Sequence, residues 1–357
     1  MNIAVIGAAG DVGRQIAQQI VSERLLDRSE RLVLAGNAQG GSSRSVYGLA
    51  ADLTDAYAET RPVIEVVLDP ERIRGDLIVI AAGRTPKPAP GGPMNRDSLA
   101  RENADVFHHY ASAIARHGHG HEIVVCISNP VELAVAIFSQ HLGRHRVVGM
   151  GAFLDSLRFR QEIAADLGIR RQRIHAFVCG EHGSMFVPLW SGVHIYGYSR
   201  DALAKALQKI RLGVGTNEVW DVVAQAQAET VSLIAAGKVH DAYAELEKYP
   251  PDVRVVTRPF VTHYSGAKTV IGTARATMDF LRTITQGADA LVSGQISLDG
   301  EVYGIRGAVG IPFVVGNRGV DRVFEIPMDE DERRLLSESA QRCNTKMAPF
   351  LGRSDAN

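Results

Sequence analysis

The 357-residue chain is 45% hydrophobic and 22% charged, and this apolar content is sufficient for a sizeable core divided over two domains. Its 39 basic and 40 acidic residues give a net charge of -1, which offers no electrostatic argument for nucleic acid or an anionic membrane as a partner. Three widely separated cysteines argue against a disulfide scaffold and a metal site. Since no apolar run reaches membrane length, a soluble cytoplasmic protein is expected, with a small molecule as its partner.

The first part of the chain alternates short β-branched runs with longer helical stretches. Five runs that are apolar on both faces predict buried parallel strands: "NIAVIG", "RLVLAG", "DLIVIAAG", "EIVVCIS" and "RVVGM". Intervening segments such as 13–23 and 97–117 are long enough for crossover helices. Residues 1–149 are therefore predicted to form a doubly wound, Rossmann-type parallel sheet.

From about residue 150 the pattern changes to long helices, predicted at 154–167, 201–207 and 216–236. Near the C-terminus, β-branched runs separated by glycine-rich turns, including Asp299-Gly300, predict antiparallel hairpins. The final "DEDERRLLSESAQRCNTKM" is acidic first and basic later, as a capped helix prefers. Residues 150–357 are therefore predicted to be an α+β catalytic or substrate domain.

Two proline-rich stretches look inserted. Residues 84–93, "RTPKPAPGGP", follow a strand end where ligands bind in such sheets, so this loop is a candidate mobile lid, with a passive surface loop as the alternative. The segment from Ala236 to Pro259 contains Pro250 and Pro251, and prolines at that density are expected to stop regular structure.

The loop "IGAAGDVG" follows the first strand and precedes a helix, which is the context of a phosphate-cradling turn rather than of a tight turn alone. Gly7 permits the turn, Gly10 lets the backbone approach the phosphates, and Gly13 lets the helix pack on the strand. The residues expected to contact a dinucleotide here and at the neighbouring strand ends are Gly7, Ala8, Gly10, Asp11, Val12, Gly13, Ala82, Gly83 and Asn129.

The second strand ends at Gly36 and Asn37, where a ribose-binding acid is expected. The missing carboxylate removes a repulsion, and Ser42, Ser43 and Arg44 supply groups that suit a ribose phosphate. NADP is therefore allowed as well as NAD. The alternative is a solvated loop that binds NAD through its backbone.

Three side chains in the second half suit proton transfer and anion binding. His182 in "CGEHGS" lies between glycines and can exchange a proton near neutral pH. Asp155 and Arg158 in "FLDSLRFR" share one helix face, so the carboxylate can orient His182 while the guanidinium binds a substrate carboxylate. The alternatives are a structural histidine and a surface ion pair.

Two polar residues complete the candidate site. Asn129 in "ISNPVE" follows an apolar strand, so its amide is expected at the strand's carboxyl end. Arg96 in "PMNRDSLAREN" lies between the proline-rich loop and a helix, so loop closure is expected to carry its charge onto a reacting carbonyl.

Together "GAAGDVG", "SNPVE", "LDSLRFR" and "GEHGS" resemble the malate and L-lactate dehydrogenase family over nearly the whole chain, and the alanine pair in the glycine loop resembles malate enzymes. The resemblance implies His182 as general acid/base, Asp155 as its partner and Arg158 as carboxylate clamp. It also implies Arg96 as carbonyl polariser and Asn129 as substrate orienter.

The same resemblance extends to the substrate wall and the subunit contact. "HYSGAKTVIG" is similar to the family's wall, which implies Ser265 or Ala267 near the pocket. "GLAADLTDA" resembles the helix that packs between subunits, which implies a homodimer or homotetramer.

Departures from the family pattern leave the substrate open. Pro90 occupies the place of the second loop arginine of malate enzymes, in a longer loop. The alternatives are Arg84 or Lys87 as the second cation, or a side-chain pocket that is apolar or differently charged. Glu132 and Ser184 each replace a usual aspartate. Malate is the first expectation, and lactate or another 2-hydroxy acid the second. A metal- and NAD-dependent glycoside hydrolase and a non-catalytic dinucleotide-binding protein are the alternative functions.

Overall fold

The computed structural model describes residues 1–39, 41–84, 96–287, 289–323 and 325–352, and of residues 96–98 it describes the backbone only. Six of the described strands run parallel in one sheet. They are Ile3–Ile6 (β1), Arg31–Ala35 (β2), Val63–Val67 (β3), Leu77–Ile80 (β4), Ile123–Cys126 (β5) and Val147–Gly149 (β6). The order β3-β2-β1-β4-β5-β6 is that of a Rossmann sheet and confirms the predicted fold class.

Strand β3 was missed by the sequence reasoning. It is the edge strand, with Val63 45% exposed and Glu65 facing Arg31 across an exposed ion pair. An edge strand is only partly covered, so its sequence lacks the continuous apolar run that identifies β1, β4 and β5, all of whose residues are buried.

Helices cover both faces of this parallel sheet. They are Asp11–Ser22 (α1), Ser42–Ala56 (α2), Arg96–His117 (α3) and Val131–Leu142 (α4). The strand order reverses between β1 and β4, and the crevice at the carboxyl ends of these strands is where such sheets bind ligands.

The second half begins with Gly151–Leu167 (α5) and adds short strands, further helices and a hairpin. The short strands are Ile174–His175 (β7), Val178–Gly180 (β8), Phe186–Pro188 (β9) and His194–Ile195 (β10). The helices are Arg200–Ile210 (α6), Val219–Ala235 (α7), Val239–Leu246 (α8), Pro251–Tyr264 (α9) and Val270–Thr285 (α10). The C-terminal elements are Ala290–Asp299 (β11), Arg306–Gly316 (β12), Gly319–Val323 (β13) and Glu330–Leu351 (α11).

The predicted C-terminal hairpins are present, because β11, β12 and β13 pair antiparallel. Strand β11 also pairs with β6, where Gln295 lies opposite Gly149, so the two halves share one continuous sheet. Helix α11 begins at a capping box in which Asp329 and Glu332 bond each other's backbone N–H groups. None of the described helices has the length and apolar character that a membrane crossing requires.

The expectation that prolines stop regular structure between residues 236 and 259 is wrong. Pro251 is the first residue of α9, where a helix needs no N–H donor, and α9 continues through Pro259. The segment is also packed in the core, since Leu246 and Val253 are fully buried. Arg254, 3% exposed, donates to Glu162 and Asp166 of α5 at 2.7 and 2.6 Å and fixes α9 against that helix.

Candidate functional site

The structure brings together the three charged residues expected to do the chemistry. His182 Nδ1 lies 2.6 Å from Asp155 Oδ2, and Arg158 Nη1 donates to Asp155 Oδ1 at 3.0 Å. The Asp155 side chain is 4% exposed, whereas those of His182 and Arg158 are 20% and 22% exposed. One buried carboxylate therefore links two partly accessible groups, so the surface ion pair considered above does not describe Asp155.

Burial and charge act in opposite directions on this cluster. Burial disfavours the imidazolium of His182, but the charge and hydrogen bond of Asp155 outweigh it and raise the pKa of His182. Burial likewise opposes ionisation of Asp155, but His182 and Arg158 lower the pKa of this carboxyl. Asp155 is therefore ionised at neutral pH, and His182 holds a proton to higher pH than an isolated histidine.

The backbone around His182 is fixed by residues that the sequence reasoning did not assign to the site. The backbone N–H of His182 donates to Glu132 Oε1 at 2.7 Å, and Gln295 Nε2 donates to the same oxygen at 3.1 Å. Gln295 Oε1 in turn accepts from the backbone N–H of Ala152. Gly151 is required here, because a Cβ would lie 2.6 Å from the His182 ring. No local motif indicates Gln295, which approaches through a strand about 110 residues later in the chain.

The glycine loop has the geometry of a phosphate cradle. Gly7 has a φ of +88°, and a Cβ there would lie 2.6 Å from the backbone of Ala81. A Cβ on Gly13 would lie 2.2 Å from Gly7 O, so α1 packs directly against the turn. Gly10 is the N-cap of α1 without a side-chain cap, which leaves the first N–H groups of the helix, those of Asp11 and Val12 among them, for an anion.

The loop after β2 is tightly packed at Gly36, whereas Arg44, which follows it, is exposed to solvent. A Cβ on Gly36 would meet Val46 at 2.6 Å, and Ser42 Oγ accepts from the N–H of Asn37. Asn37 Oδ1 accepts from the N–H of Gln39, so its side chain stabilises the turn. Arg44 is exposed on the first turn of α2. The contacts at the end of β2 are thus made by backbone N–H groups with a hydroxyl and an amide oxygen, and none of them involves a carboxylate.

Asn103 ties the ends of β4 and β5 together and was not identified from the sequence. Its Nδ2 donates to Asn129 O at 2.6 Å, and its Oδ1 accepts from the N–H of Arg84 at 2.6 Å. A Cβ on Gly83 would lie 3.2 Å from this amide. The predicted residues Ala82, Gly83 and Asn129 thus lie at two adjacent strand ends, held by one buried amide.

Part of the predicted site lies outside the described residues. The candidate lid from residue 85 onwards, with Lys87 and Pro90, belongs to this part. The side chain of Arg96 also belongs to it, although Arg96 is the first residue of α3. Arg84 is described, and its guanidinium pairs with Glu102 at 3.1 Å.

The predicted substrate wall lies on the turn between α9 and α10. Ala267 is exposed there, and Ser265 Oγ donates to Thr262 O at 2.8 Å. The next residue, Lys268, pairs with Asp11 of α1 at 2.6 Å, so this turn contacts the start of the glycine-loop helix. His263 lies four residues before Ala267, with its Nε2 3.3 Å from Thr269 Oγ1, and burial together with the charges of Arg158 and His182 lowers its pKa.

Comparison with known proteins adds an independent observation. The family sequence profile described as "lactate/malate dehydrogenase, NAD binding domain" matches residues 1–149. The profile "lactate/malate dehydrogenase, alpha/beta C-terminal domain" matches residues 152–232 and 213–351.

Curated relatives align over nearly their whole length. Malate dehydrogenase of Methanothermobacter marburgensis is 26% identical, with 95% of this chain and 94% of the relative covered. L-2-hydroxycarboxylate dehydrogenase (NAD(P)(+)) of Methanocaldococcus jannaschii is 28% identical, with 96% of each covered. Among solved structures, Cryptosporidium parvum malate dehydrogenase superposes with a TM-score of 0.74 at 22% identity over 98% of each chain, which shows the shared fold.

Proposed function

Since this chain belongs to the lactate/malate dehydrogenase family of oxidoreductases, we propose that it interconverts a small L-2-hydroxy acid and its 2-oxo acid with NAD. In this proposal residues 1–149 bind the cofactor and residues 150–357 bind the substrate. The observation that carries the proposal is the 2.6 Å contact between His182 and the buried Asp155, beside the cationic Arg158. The two alternative functions receive no support from the comparisons.

The charged cluster performs the proton transfer of the proposed reaction. In the oxidative direction neutral His182 takes the hydroxyl proton of the substrate, while the hydrogen on C2 leaves with its electron pair. Bound NAD supplies the hydride acceptor. Asp155 stabilises the imidazolium that forms, and Arg158 holds the substrate carboxylate so that the hydroxyl faces His182. In the reductive direction protonated His182 donates to the carbonyl oxygen.

Malate is the first substrate proposed, with lactate or another 2-hydroxy acid second. The names of two curated relatives support this order, since one is a malate dehydrogenase and the other acts on L-2-hydroxycarboxylates. The cofactor proposed is NAD, in agreement with the matched NAD binding domain. An enzyme that prefers NADP remains an outcome of the test below, because Gly36 and Asn37 place no carboxylate at the end of β2.

Steady-state reduction of a panel of 2-oxo acids tests the proposal. Pyruvate, oxaloacetate and larger 2-oxo acids are each measured with NADH and with NADPH near neutral pH. We expect turnover of at least one acid, fastest with oxaloacetate and NADH. Binding of NADH without oxidation in the presence of any of these acids would contradict the proposed function.

Replacing Asp155 with asparagine is expected to move the pH profile of reduction. Asp155 raises the pKa of His182, and reduction requires protonated His182, so the rate falls as pH rises through that pKa. Without the carboxylate the falling limb moves to lower pH, and kcat at neutral pH decreases. The measurement is kcat against pH for both variants. A profile with an unchanged falling limb would show that Asp155 does not set the proton affinity of His182.

A homodimer or homotetramer is proposed from the resemblance of α2 to a subunit contact. Two large apolar side chains support it: Tyr47 on α2 is 58% exposed and Ile271 on α10 is 71% exposed. Light scattering is expected to give at least twice the 38.6 kDa chain mass. Ile271→Asp should lower that mass, whereas the control Leu212→Asp, at another exposed position, should not. A monomeric unmodified protein refutes this proposal.

The cytoplasmic location stays a prediction. The three cysteines, Cys126, Cys179 and Cys343, are all buried and free.

A further inference from the structure

Two buried carboxylates hold His182, each at a different point. Asp155 Oδ2 lies 2.6 Å from the ring Nδ1, whereas Glu132 Oε1 accepts the backbone N–H of the same histidine at 2.7 Å. Both acids are buried, so solvent and salt screen their charges only weakly. In the proposed function Asp155 serves the ring, and a role for Glu132 rests on that same function.

Gln295 links Glu132 to the helix that carries Asp155. Its side chain is fully buried on β11, where Nε2 donates to Glu132 Oε1 at 3.1 Å and Oε1 accepts from the N–H of Ala152 at 3.1 Å. Glu132 is the second residue of α4, and Ala152 is the second residue of α5. One amide therefore joins the first turns of two helices, and moving either helix leaves a buried polar group unpaired.

Glycines on three elements make room for the Gln295 amide. A Cβ on Gly149 of β6 would lie 2.8 Å from Gln295 Cβ, and one on Gly151 of α5 would lie 3.0 Å from Gln295 Nε2. A Cβ on Gly310 of β12 would lie 3.3 Å from the same nitrogen. Because the surrounding backbone is this close, the amide is held where its nitrogen reaches Glu132.

The charges of Glu132 and His182 support each other. Burial and the charge of Glu181 raise the pKa of Glu132, whereas the backbone N–H and the charge of His182 lower it. Burial lowers the pKa of His182, and the charge of Glu132 adds to that of Asp155 in raising it. Glu132 is therefore ionised most readily while His182 holds its proton, which is the state that reduction requires. Further titratable groups around this pair are Arg158 of α5, His263 of α9, Lys346 beside Glu181, and Cys343 of α11.

We propose that Glu132 is a second positioning carboxylate of His182: it fixes the histidine main chain and, together with Asp155, keeps the proton on the ring. Gln295 holds Glu132 and the start of α5 in place for this purpose. Neither residue contacts the substrate, because each acts through His182 or Asp155. Loss of the Glu132 charge therefore changes kcat and the pH profile of reduction, and it leaves the KM that depends on Arg158 nearly unchanged.

Glu132→Gln tests the charge. Glutamine has nearly the shape of glutamate and keeps an oxygen for the His182 N–H, but it carries no charge. We expect the falling limb of kcat against pH for reduction to move to lower pH, by less than in Asp155→Asn, because Asp155 contacts the ring itself. Glu132→Asp keeps the charge on a shorter side chain, so its limb should stay nearer that of the unmodified protein. Glu71→Gln, at an exposed acid before β4, is the control and should leave the limb unchanged.

Gln295→Leu tests the link between the two helices. It removes both hydrogen bonds of a buried amide, so kcat should fall by about 5- to 100-fold. Loss of the Nε2 donor makes the charge of Glu132 less favourable, so the falling limb should again move to lower pH. Gln208→Leu, at an exposed position of α6, is the matched control. The substrate is the 2-oxo acid that the unmodified protein reduces fastest with NADH, and NADH binding and the melting temperature establish that the variants are folded.

An unchanged falling limb in Glu132→Gln, or an equal shift in Glu71→Gln, overturns the role of the Glu132 charge. A kcat that Gln295→Leu does not lower overturns the link through this amide. If Glu132→Gln does not fold, Gln295→Leu decides in its place, because its limb has to move in the same direction. An unmodified protein that reduces no 2-oxo acid refutes the proposed function together with this role. An active protein whose limb does not move in Glu132→Gln refutes the role of Glu132 alone.

Discussion

His182→Asn is expected to lower kcat by about 10²–10⁴-fold in both directions, because asparagine cannot exchange a proton with the substrate oxygen. The imidazole is the group that Asp155 holds at 2.6 Å and keeps protonated above its usual pKa. Hydride transfer without a proton donor leaves charge on the carbonyl oxygen, which raises the barrier. Steady-state rates of reduction and oxidation measure the loss.

Cofactor binding separates this effect from misfolding. His182 belongs to the loop between β8 and β9 and not to the glycine loop before α1, so the dissociation constant for NADH should stay within about threefold. His240→Asn, at an exposed position on α8, is the matched control and should keep full activity. Turnover by His182→Asn within a factor of ten of the unmodified protein would refute the assigned role.

Arg158→Gln is expected to weaken transition-state binding by about 2–5 kcal/mol and so to lower kcat/KM roughly 30- to 5,000-fold, because the substrate carboxylate loses its charged partner. The guanidinium donates to Asp155 at 3.0 Å and retains further N–H groups for a substrate carboxylate. The loss should appear mainly as a higher KM for the 2-oxo acid. Arg158→Lys keeps the charge but not the planar fork, so its loss should be intermediate.

The pH profile provides a second readout for Arg158. Its charge lowers the pKa of His182, so the falling limb of reduction should move to higher pH in Arg158→Gln. Arg170→Gln, an exposed arginine just after α5, is the control and should leave both KM and the profile unchanged. A KM for the 2-oxo acid that is unaffected in Arg158→Gln would show that another group binds the carboxylate.

Continuous apolar runs predicted the buried strands well because they reflect burial on both faces. Strands β1, β4 and β5 are buried throughout, and each was identified from its run. Edge strand β3 was missed because it is partly exposed, and Glu65 interrupts its run. The helices α8 and α9 were missed because every proline in this segment was assumed to stop regular structure. Pro251 instead starts a helix, and Pro259 lies within one.

The supporting residues of the site were harder to predict than its charged residues. His182 was indicated by its flanking glycines, and Asp155 and Arg158 by their spacing on one helix face. Asn103, Glu132 and Gln295 hold the strand ends and the His182 backbone, but they act on residues 26 to 163 positions away. Nothing in their local sequence separates them from ordinary polar side chains.

The sequence by itself determined the parallel sheet, the glycine turn and the residue types that can exchange a proton or bind a carboxylate. These features depend on local backbone sterics and on side-chain chemistry, which neighbouring residues reveal. Only the tertiary structure decided that Asp155 is buried against His182 and that Gln295 and Glu132 fix the histidine loop. Proton affinity and anion binding depend on burial and on charges within a few ångströms, and those distances arise when separate elements pack together.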